Sequence, residues 1–362
     1  MKKLLFIVNT YKPGAIPNIL NMIIPRLKNL SIYILTLEDS REELLKYAKS
    51  INSNIETINT SRFNLLKTLL LLKKKIAEID PDIIHSHMGR ADIFSALSKT
   101  NHATLITTMH TMKRISLSNG LFNLTSLAYY FIDYKVSMRV SISNIVKNSW
   151  YDNYLSSPNT VIYNPVLIKP AYDKEFKMNN DMDEFNISFV GRLIKIKNPM
   201  LILYAMNDIV NQYPNIHLNI AGDGPEKKKM LEYITNNRLG KNITILGLLS
   251  DLDHIYKKTD LLIVSSIWTS GIPLVTLEAA MYQVPLLVPR VAGICEFFEN
   301  GRNALLFKSG DKDDLKDKLV LLFQDNVLRK KLAKNALLEF SKIFNADNIA
   351  RQYSDIYNQP LN

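Results

Sequence analysis

A single cysteine, Cys295, stands among the 362 residues. That excludes an internal disulfide framework and a multi-cysteine zinc site, and it fits a reducing compartment. Long apolar runs are missing too. The nearest candidate, residues 121–136, is broken by Asn123, Asp133 and Lys135, short of the roughly 18 apolar residues that span a bilayer. At the start, Lys2-Lys3 precede only the apolar run from Leu4 to Val8 before Asn9, too little for a signal-peptide core, so this segment reads as a first buried strand. No zinc-finger spacing and no aromatic–glycine RNA signature occurs, and nucleic acid is not an expected partner. The Gly-x-Ser-x-Gly elbow of serine hydrolases is lacking. Ala221-Gly222-Asp223-Gly224-Pro225-Glu226 imitates a dinucleotide fingerprint, but Lys227 stands where the third glycine belongs, which argues against a nicotinamide cofactor.

What is present describes an ordinary globular protein. Hydrophobic residues make up 47% and charged residues 22%, and the length favours two domains. Short apolar, β-rich runs recur between longer helical patterns at 4–8, 32–36, 83–86, 104–107, 136–141 and 161–163. They resume at 187–190, 217–221, 243–246, 261–265 and 286–288. Because the runs are continuous rather than alternating, the strands are expected in parallel sheets covered by helices on both faces. Two doubly wound α/β domains follow, divided at the polar, proline-containing stretch from Asn164-Pro165 to Lys177.

The net charge of +11 is concentrated in the first half. Residues 1–165 hold 20 Lys and Arg against 11 Asp and Glu, whereas the remainder holds 25 against 23. Such an excess attracts polyanions, including an anionic bilayer or a phosphorylated substrate. Lys73-Lys74-Lys75 on the amphipathic segment 63–79, with Lys113-Arg114 ahead of another apolar stretch, suit a membrane surface. A solvated helix face accounts for the same pattern.

In doubly wound sheets ligands gather beyond the carboxyl ends of the strands, and two such domains offer a cleft between them. After the strand at 187–190, Gly191 permits a sharp turn, and Arg192 and Lys197 place two cations suited to a diphosphate. After the strand at 261–265 come Ser270-Gly271-Ile272-Pro273 and a helical pattern from Leu274 to Tyr282. Proline is expected at the first helical position, with the free amides near Gly271 forming an anion site. Glu278, a lone acid among Val275, Leu277, Ala279, Ala280 and Met281, is expected to be partly buried and to need hydrogen-bond donors. Paired sugar hydroxyls could supply them, as could backbone or a basic neighbour. His85, His87 and His110 fall at or after strands of the first half, and a zinc site built on them is not expected.

Taken in order, these segments resemble the retaining glycosyltransferases of family 4, which have the GT-B architecture of two facing Rossmann-like domains. The resemblance runs through Pro81 to His87, Thr107 to His110, Val140 to Ser143 and Val161 to Asn164. It continues through Phe189 to Leu193, Ala221 to Pro225, Gly271-Ile272-Pro273 with Leu277-Glu278-Ala279, and Gly301 to Leu306. It implies an acceptor-binding domain over 1–165, a nucleotide-sugar-binding domain over 166–345, and a C-terminal segment, 346–362, crossing back onto the first domain. It further implies that Arg192 and Lys197 neutralise the donor's diphosphate and that Glu278 holds the ribose hydroxyls. His110 would stand near the transferred sugar, and Gly14 would lie in the loop that approaches the diphosphate. Two departures are visible. Ser270 occupies the position, eight before Glu278, where the family carries its first glutamate, and Pro13-Gly14-Ala15-Ile16 has one glycine where two are common.

The resemblance implies a cytoplasmic, metal-independent hexosyltransferase that uses a UDP-sugar or another nucleotide-sugar. Its acceptor would be a saccharide or a lipid-linked saccharide of a cell-envelope polysaccharide or lipopolysaccharide. An anionic membrane surface is the further partner, on the inner face of the cytoplasmic membrane. Two alternatives stand beside it: a sugar-nucleotide epimerase of the same architecture, and a saccharide-binding scaffold without catalysis, which Ser270 makes conceivable.

Overall fold

The continuous apolar runs form strands buried from both sides. In the computed structural model the described residues are 1–12, 14–39, 42, 54–60, 64–112, 124–151, 155–168, 184–249 and 251–360. They form two compact units, Met1–Pro165 with Ala346–Asn362, and Val166–Asn345.

The first unit contains β1 (Lys2–Val8), β2 (Leu30–Thr36), β3 (Asn54–Thr57), β4 (Ile83–His87), β5 (Thr104–Met109), β6 (Met138–Ser141) and β7 (Asn159–Val161). They make one parallel sheet in the order β3-β2-β1-β4-β5-β6-β7. The second unit repeats the order of its first six with β8 (Phe185–Val190), β9 (Ile216–Ala221), β10 (Ile243–Gly247), β11 (Leu261–Ile263), β12 (Leu286–Pro289) and β13 (Leu305–Phe307). Here the sheet runs β10-β9-β8-β11-β12-β13. In each sheet the chain reverses direction of winding at one point, between β1 and β4 and between β8 and β11. Loops leaving those strands are where a doubly wound sheet opens a crevice for a ligand.

Each sheet has its own core. Leu5, Ile7, Leu35, Ile84 and Leu105 anchor the first, and Phe185, Ile187, Leu218, Leu261 and Leu287 the second, all fully buried. Two strands fall outside the expected runs. β3, Asn-Ile-Glu-Thr, pairs only with β2 at the sheet edge, and β13 pairs only with β12 through three residues. β3 has one apolar residue in four and reads as a loop, whereas β13 is Leu-Leu-Phe, apolar and buried but only three residues long.

The C-terminal helix Ala346–Asn358 lies on the first unit and buries Ile349, Ala350, Tyr353, Ile356 and Tyr357. Arg26 Nε donates to Asp347 at 2.7 Å, and Lys2 Nζ to the Tyr357 carbonyl at 3.1 Å.

The amphipathic segment of the first half is the helix Leu65–Ile79. Its N-cap Asn64 accepts from the Lys67 amide, and it buries Thr68, Leu72 and Ile76 while exposing Leu65, Leu66 and Leu70. Its lysine run is less free than the sequence suggests, since Lys75 pairs with Glu56 at 2.7 Å and with Glu78 at 2.9 Å. Lys113-Arg114 lies outside the described residues, and among those described no helix is long and apolar enough to cross a membrane.

Candidate active site

At the end of β8 the chain turns through Gly191 and a loop that its neighbours hold tightly. The Gly191 amide donates to Ala221 O at 3.0 Å and the Leu193 amide to Asp223 O at 2.9 Å, while the Gly222 amide donates to Gly247 O at 2.7 Å. Gly222 has φ 154°, and a Cβ built there would stand 1.9 Å from the Gly191 carbonyl oxygen. The glycines of the failed dinucleotide fingerprint therefore serve close packing of one loop on another. On the far side, the Ser265 hydroxyl donates to Lys197 O at 2.8 Å and the Ile267 amide to Ile196 O at 3.0 Å.

This loop carries both expected cations. Arg192 is exposed and Lys197 half-buried. Neither has a carboxylate partner among the described residues, and the nearby Asp223 is engaged by Lys227 at 2.7 Å. Burial, and then the positive charge of Arg192, hold the Lys197 ammonium below its ordinary value of 10.5. Two like charges kept together without a counterion form a ready site for an anion.

The helix after β11 is Leu274–Met281. Its N-cap is Pro273, so the proline stands one position earlier than expected, ahead of the first helical residue rather than at it. Proline's fixed φ serves either place. No side chain caps the helix, which leaves the amides of Leu274 and Val275 to an outside acceptor. In the preceding loop Thr269, Gly271 and Ile272 are buried, Ser270 and Pro273 are half-buried, and the hydroxyls of Ser266 and Thr269 are buried without a partner. Gly293, in the short helix Ala292–Cys295, packs so closely that a Cβ would lie 2.4 Å from Thr269 O and 2.8 Å from the Gly271 nitrogen. Glu278 is half-buried as expected, and a donor from the protein already reaches it: the hydroxyl of buried Tyr256 donates to Glu278 Oε2 at 2.7 Å.

The second unit thus brings Arg192, Lys197, Ser270, Gly271, Ile272, Pro273 and Glu278 to the carboxyl ends of β8 and β11. Gly14 and His110 belong to the first unit. Gly14 is the N-cap of the helix Ala15–Ile23 with extended backbone, and a Cβ there would meet only Lys12 O at 3.7 Å. Nothing among the described residues demands glycine at this position. His110, just past β5, is half-buried, and burial lowers it to about 4. Its Nε2 lies 3.0 Å from Nδ1 of His87 at the end of β4.

Sequence reasoning missed two of these relations. Tyr256 carries no local signal, because it stands 22 residues from Glu278 on a different helix, Asp253–Lys258. The His87–His110 contact was within reach: parallel pairing sets His87 opposite Thr108, two residues before His110. Among the described residues no group of three or more His, Cys, Asp or Glu could hold a metal ion.

Residues 172–338 match the family Glycosyl transferases group 1, and residues 28–168 match Glycosyltransferase Family 4. The chain is similar to an uncharacterized glycosyltransferase of Methanocaldococcus jannaschii, MJ1178, at 27% identity over 96% of this chain and 95% of that protein. It is also 26% identical to the UDP-Gal:alpha-D-GlcNAc-diphosphoundecaprenol alpha-1,3-galactosyltransferase of Escherichia coli, over 82% of this chain and 80% of that one. The crystal structure of Anabaena Alr3699/HepE in complex with UDP superposes with a TM-score of 0.83 at 18% identity, covering 99% of each chain. Two parallel-sheet Rossmann-like units, both family matches and these relatives lead to one assignment: the chain belongs to the family 4 glycosyltransferases of GT-B fold and is a hexosyltransferase.

Proposed function

We propose that this enzyme moves a hexosyl group from a UDP-sugar to a lipid-linked saccharide during assembly of a cell-envelope polysaccharide, with retention of anomeric configuration. The observation that carries the proposal is the pair Arg192 and Lys197, which have no carboxylate partner among the described residues at the end of β8. A diphosphate would supply the missing counterion. UDP in the Anabaena structure supports the nucleotide, and the diphosphoundecaprenol acceptor of the E. coli relative supports the acceptor class.

In this reading Arg192, Lys197 and the amides that open the helix Leu274–Met281 take up the charge that develops on the diphosphate as it departs. The acceptor hydroxyl attacks the anomeric carbon from the same face, its oxygen–carbon bond forming as the bond to phosphate breaks. Its proton leaves with the departing phosphate oxygen. The positive charge that a divalent cation would otherwise supply comes here from side chains and helix amides. Glu278, steadied by Tyr256, accepts hydrogen bonds from the ribose hydroxyls, while Ser270 to Pro273 line the donor sugar; a role for His110 toward that sugar is supported by the family resemblance alone. Exposed Leu65, Leu66 and Leu70 beside Lys67, Lys73 and Lys74 support peripheral residence on an anionic membrane surface.

The test is a nucleotide-release screen of UDP-, GDP- and ADP-sugars against membrane-extracted lipid-linked acceptors. UDP released only when an acceptor is added supports the proposal. Donor conversion without any acceptor would mark an epimerase, and binding without release a saccharide-binding scaffold; either result overturns it.

A further inference from the structure

The first unit holds three touching histidines, of which the proposed reaction uses only His110. His85 is fully engaged: its Nδ1 lies 2.6 Å from the Tyr357 hydroxyl on the C-terminal helix, and its Nε2 lies 2.7 Å from the Thr108 hydroxyl. His87 stands between the other two, with ring centroids 4.4 Å from His85 and 5.3 Å from His110. It has a single hydrogen-bond partner, His110, and its own Nε2 is buried without one. His110 Nδ1 has no partner among the described residues.

Burial keeps all three rings uncharged, lowering His85 to about 3 and His110 to about 4. A neutral imidazole has one N–H, so a single proton lies between His87 Nδ1 and His110 Nε2, and two arrangements are open. If His110 donates, the proton of His87 sits on Nε2 as a buried N–H with no acceptor. If His87 donates, its buried Nε2 is a bare lone pair, and the N–H left without a protein acceptor is that of half-buried His110 at Nδ1, which is not among the buried unpartnered atoms. Orphaned buried N–H groups are the rarer defect in folded proteins, so the second arrangement is preferred.

We propose that His87 is a positioning residue: its Nδ1–H donates to His110 Nε2 and fixes His110 as the Nδ1–H tautomer. His110 then offers a ligand a hydrogen-bond donor, suited to a hydroxyl or carbonyl oxygen, and does not act as a base at that nitrogen. The role of the His110 donor rests on the reading above, in which the family resemblance supports a role for His110 toward the transferred sugar. The tautomer itself does not, and it is measured without substrate.

Long-range ¹H–¹⁵N spectra of the full chain labelled at histidine, with His110 assigned from the His110→Gln variant, read the tautomer directly. The wild-type protein shows His110 protonated on Nδ1, and His87→Leu shifts it toward the Nε2–H form. An Nε2–H form in the wild type, or a tautomer indifferent to His87→Leu, overturns the proposal. With whichever donor the release screen identifies, His87→Leu lowers kcat about tenfold, the scale of one lost hydrogen bond, and leaves the donor KM within about twofold. His87→Asn, whose amide can donate from nearly the same place, recovers part of that loss. Wild-type kcat in folded His87→Leu, or no recovery in folded His87→Asn, counts against the positioning role. An inactive wild-type protein with the Nδ1–H tautomer would sink the transferase reading alone.

Discussion

Replacing Lys197 by methionine separates what the side chain does for folding from what it does for binding. The ammonium is half-buried, lacks a carboxylate partner among the described residues, and is held below 10.5 by burial and by Arg192. In the ligand-free protein that charge is a cost. Methionine keeps the apolar length of the stem and removes the charge, so the ligand-free protein gains about 0.5–2 kcal/mol, as when other strained functional residues are relieved. UDP binding moves the other way. Losing one charge-assisted hydrogen bond costs about 1.5–3 kcal/mol, or roughly 10- to 150-fold in Kd.

The pH dependence has a definite sign. Because the folded-state value lies below the unfolded one, the unfolded chain binds more protons in the interval between them, and wild-type stability rises with pH there. The advantage of Lys197→Met is therefore largest at neutral pH and shrinks as pH climbs toward 10.5. Urea unfolding at neutral and alkaline pH, with calorimetry of UDP on the same samples, measures both quantities. A variant less stable than wild type with unchanged UDP affinity would refute the reasoning, because Lys197 would then be a structural residue.

Three further outcomes follow from the geometry. Glu278→Gln keeps an oxygen for the Tyr256 hydroxyl but loses the charge proposed to hold the ribose, and it weakens UDP binding by about 1–3 kcal/mol; calorimetry that shows equal affinity removes the role. Gly222→Ala drives a methyl to within 1.9 Å of Gly191 O at φ 154° and lowers stability by about 2–4 kcal/mol in urea unfolding, whereas a change under about 0.5 kcal/mol would mean that the loops are loosely packed. His85, lowered from 6.5 to about 3 by burial, binds protons in the unfolded chain before it does in the folded one. Stability therefore falls as pH drops below 6.5, by about 3 kcal/mol at pH 4 from this residue; His85→Gln flattens that slope, and an identical slope in the variant would contradict the assignment.

Legibility in the sequence followed the strength of each local signal. Strands buried on both faces, such as β1 and β8, announce themselves as continuous apolar runs, and the residues placed just beyond them follow directly. Arg192 and Lys197 were found that way, and Glu278 by its isolation among apolar neighbours. The edge strand β3 was hidden because its Asn-Ile-Glu-Thr sequence looks like a loop. Missing it also concealed Glu56 as the partner of Lys75, and so exaggerated the basic run on the helix Leu65–Ile79. Pro273 was misplaced by one residue because its fixed φ suits the N-cap as well as the first turn. Tyr256 depends on a tertiary neighbour 22 residues away, which no periodicity encodes, whereas the His87–His110 contact needed only the pairing of β4 with β5.

The most direct measurement is a crystal structure of the protein with UDP bound. The account predicts the two phosphates within hydrogen-bond reach of Arg192 and Lys197, beside the first turn of the helix Leu274–Met281, with the ribose on Glu278. UDP bound with its phosphates on other residues would contradict it.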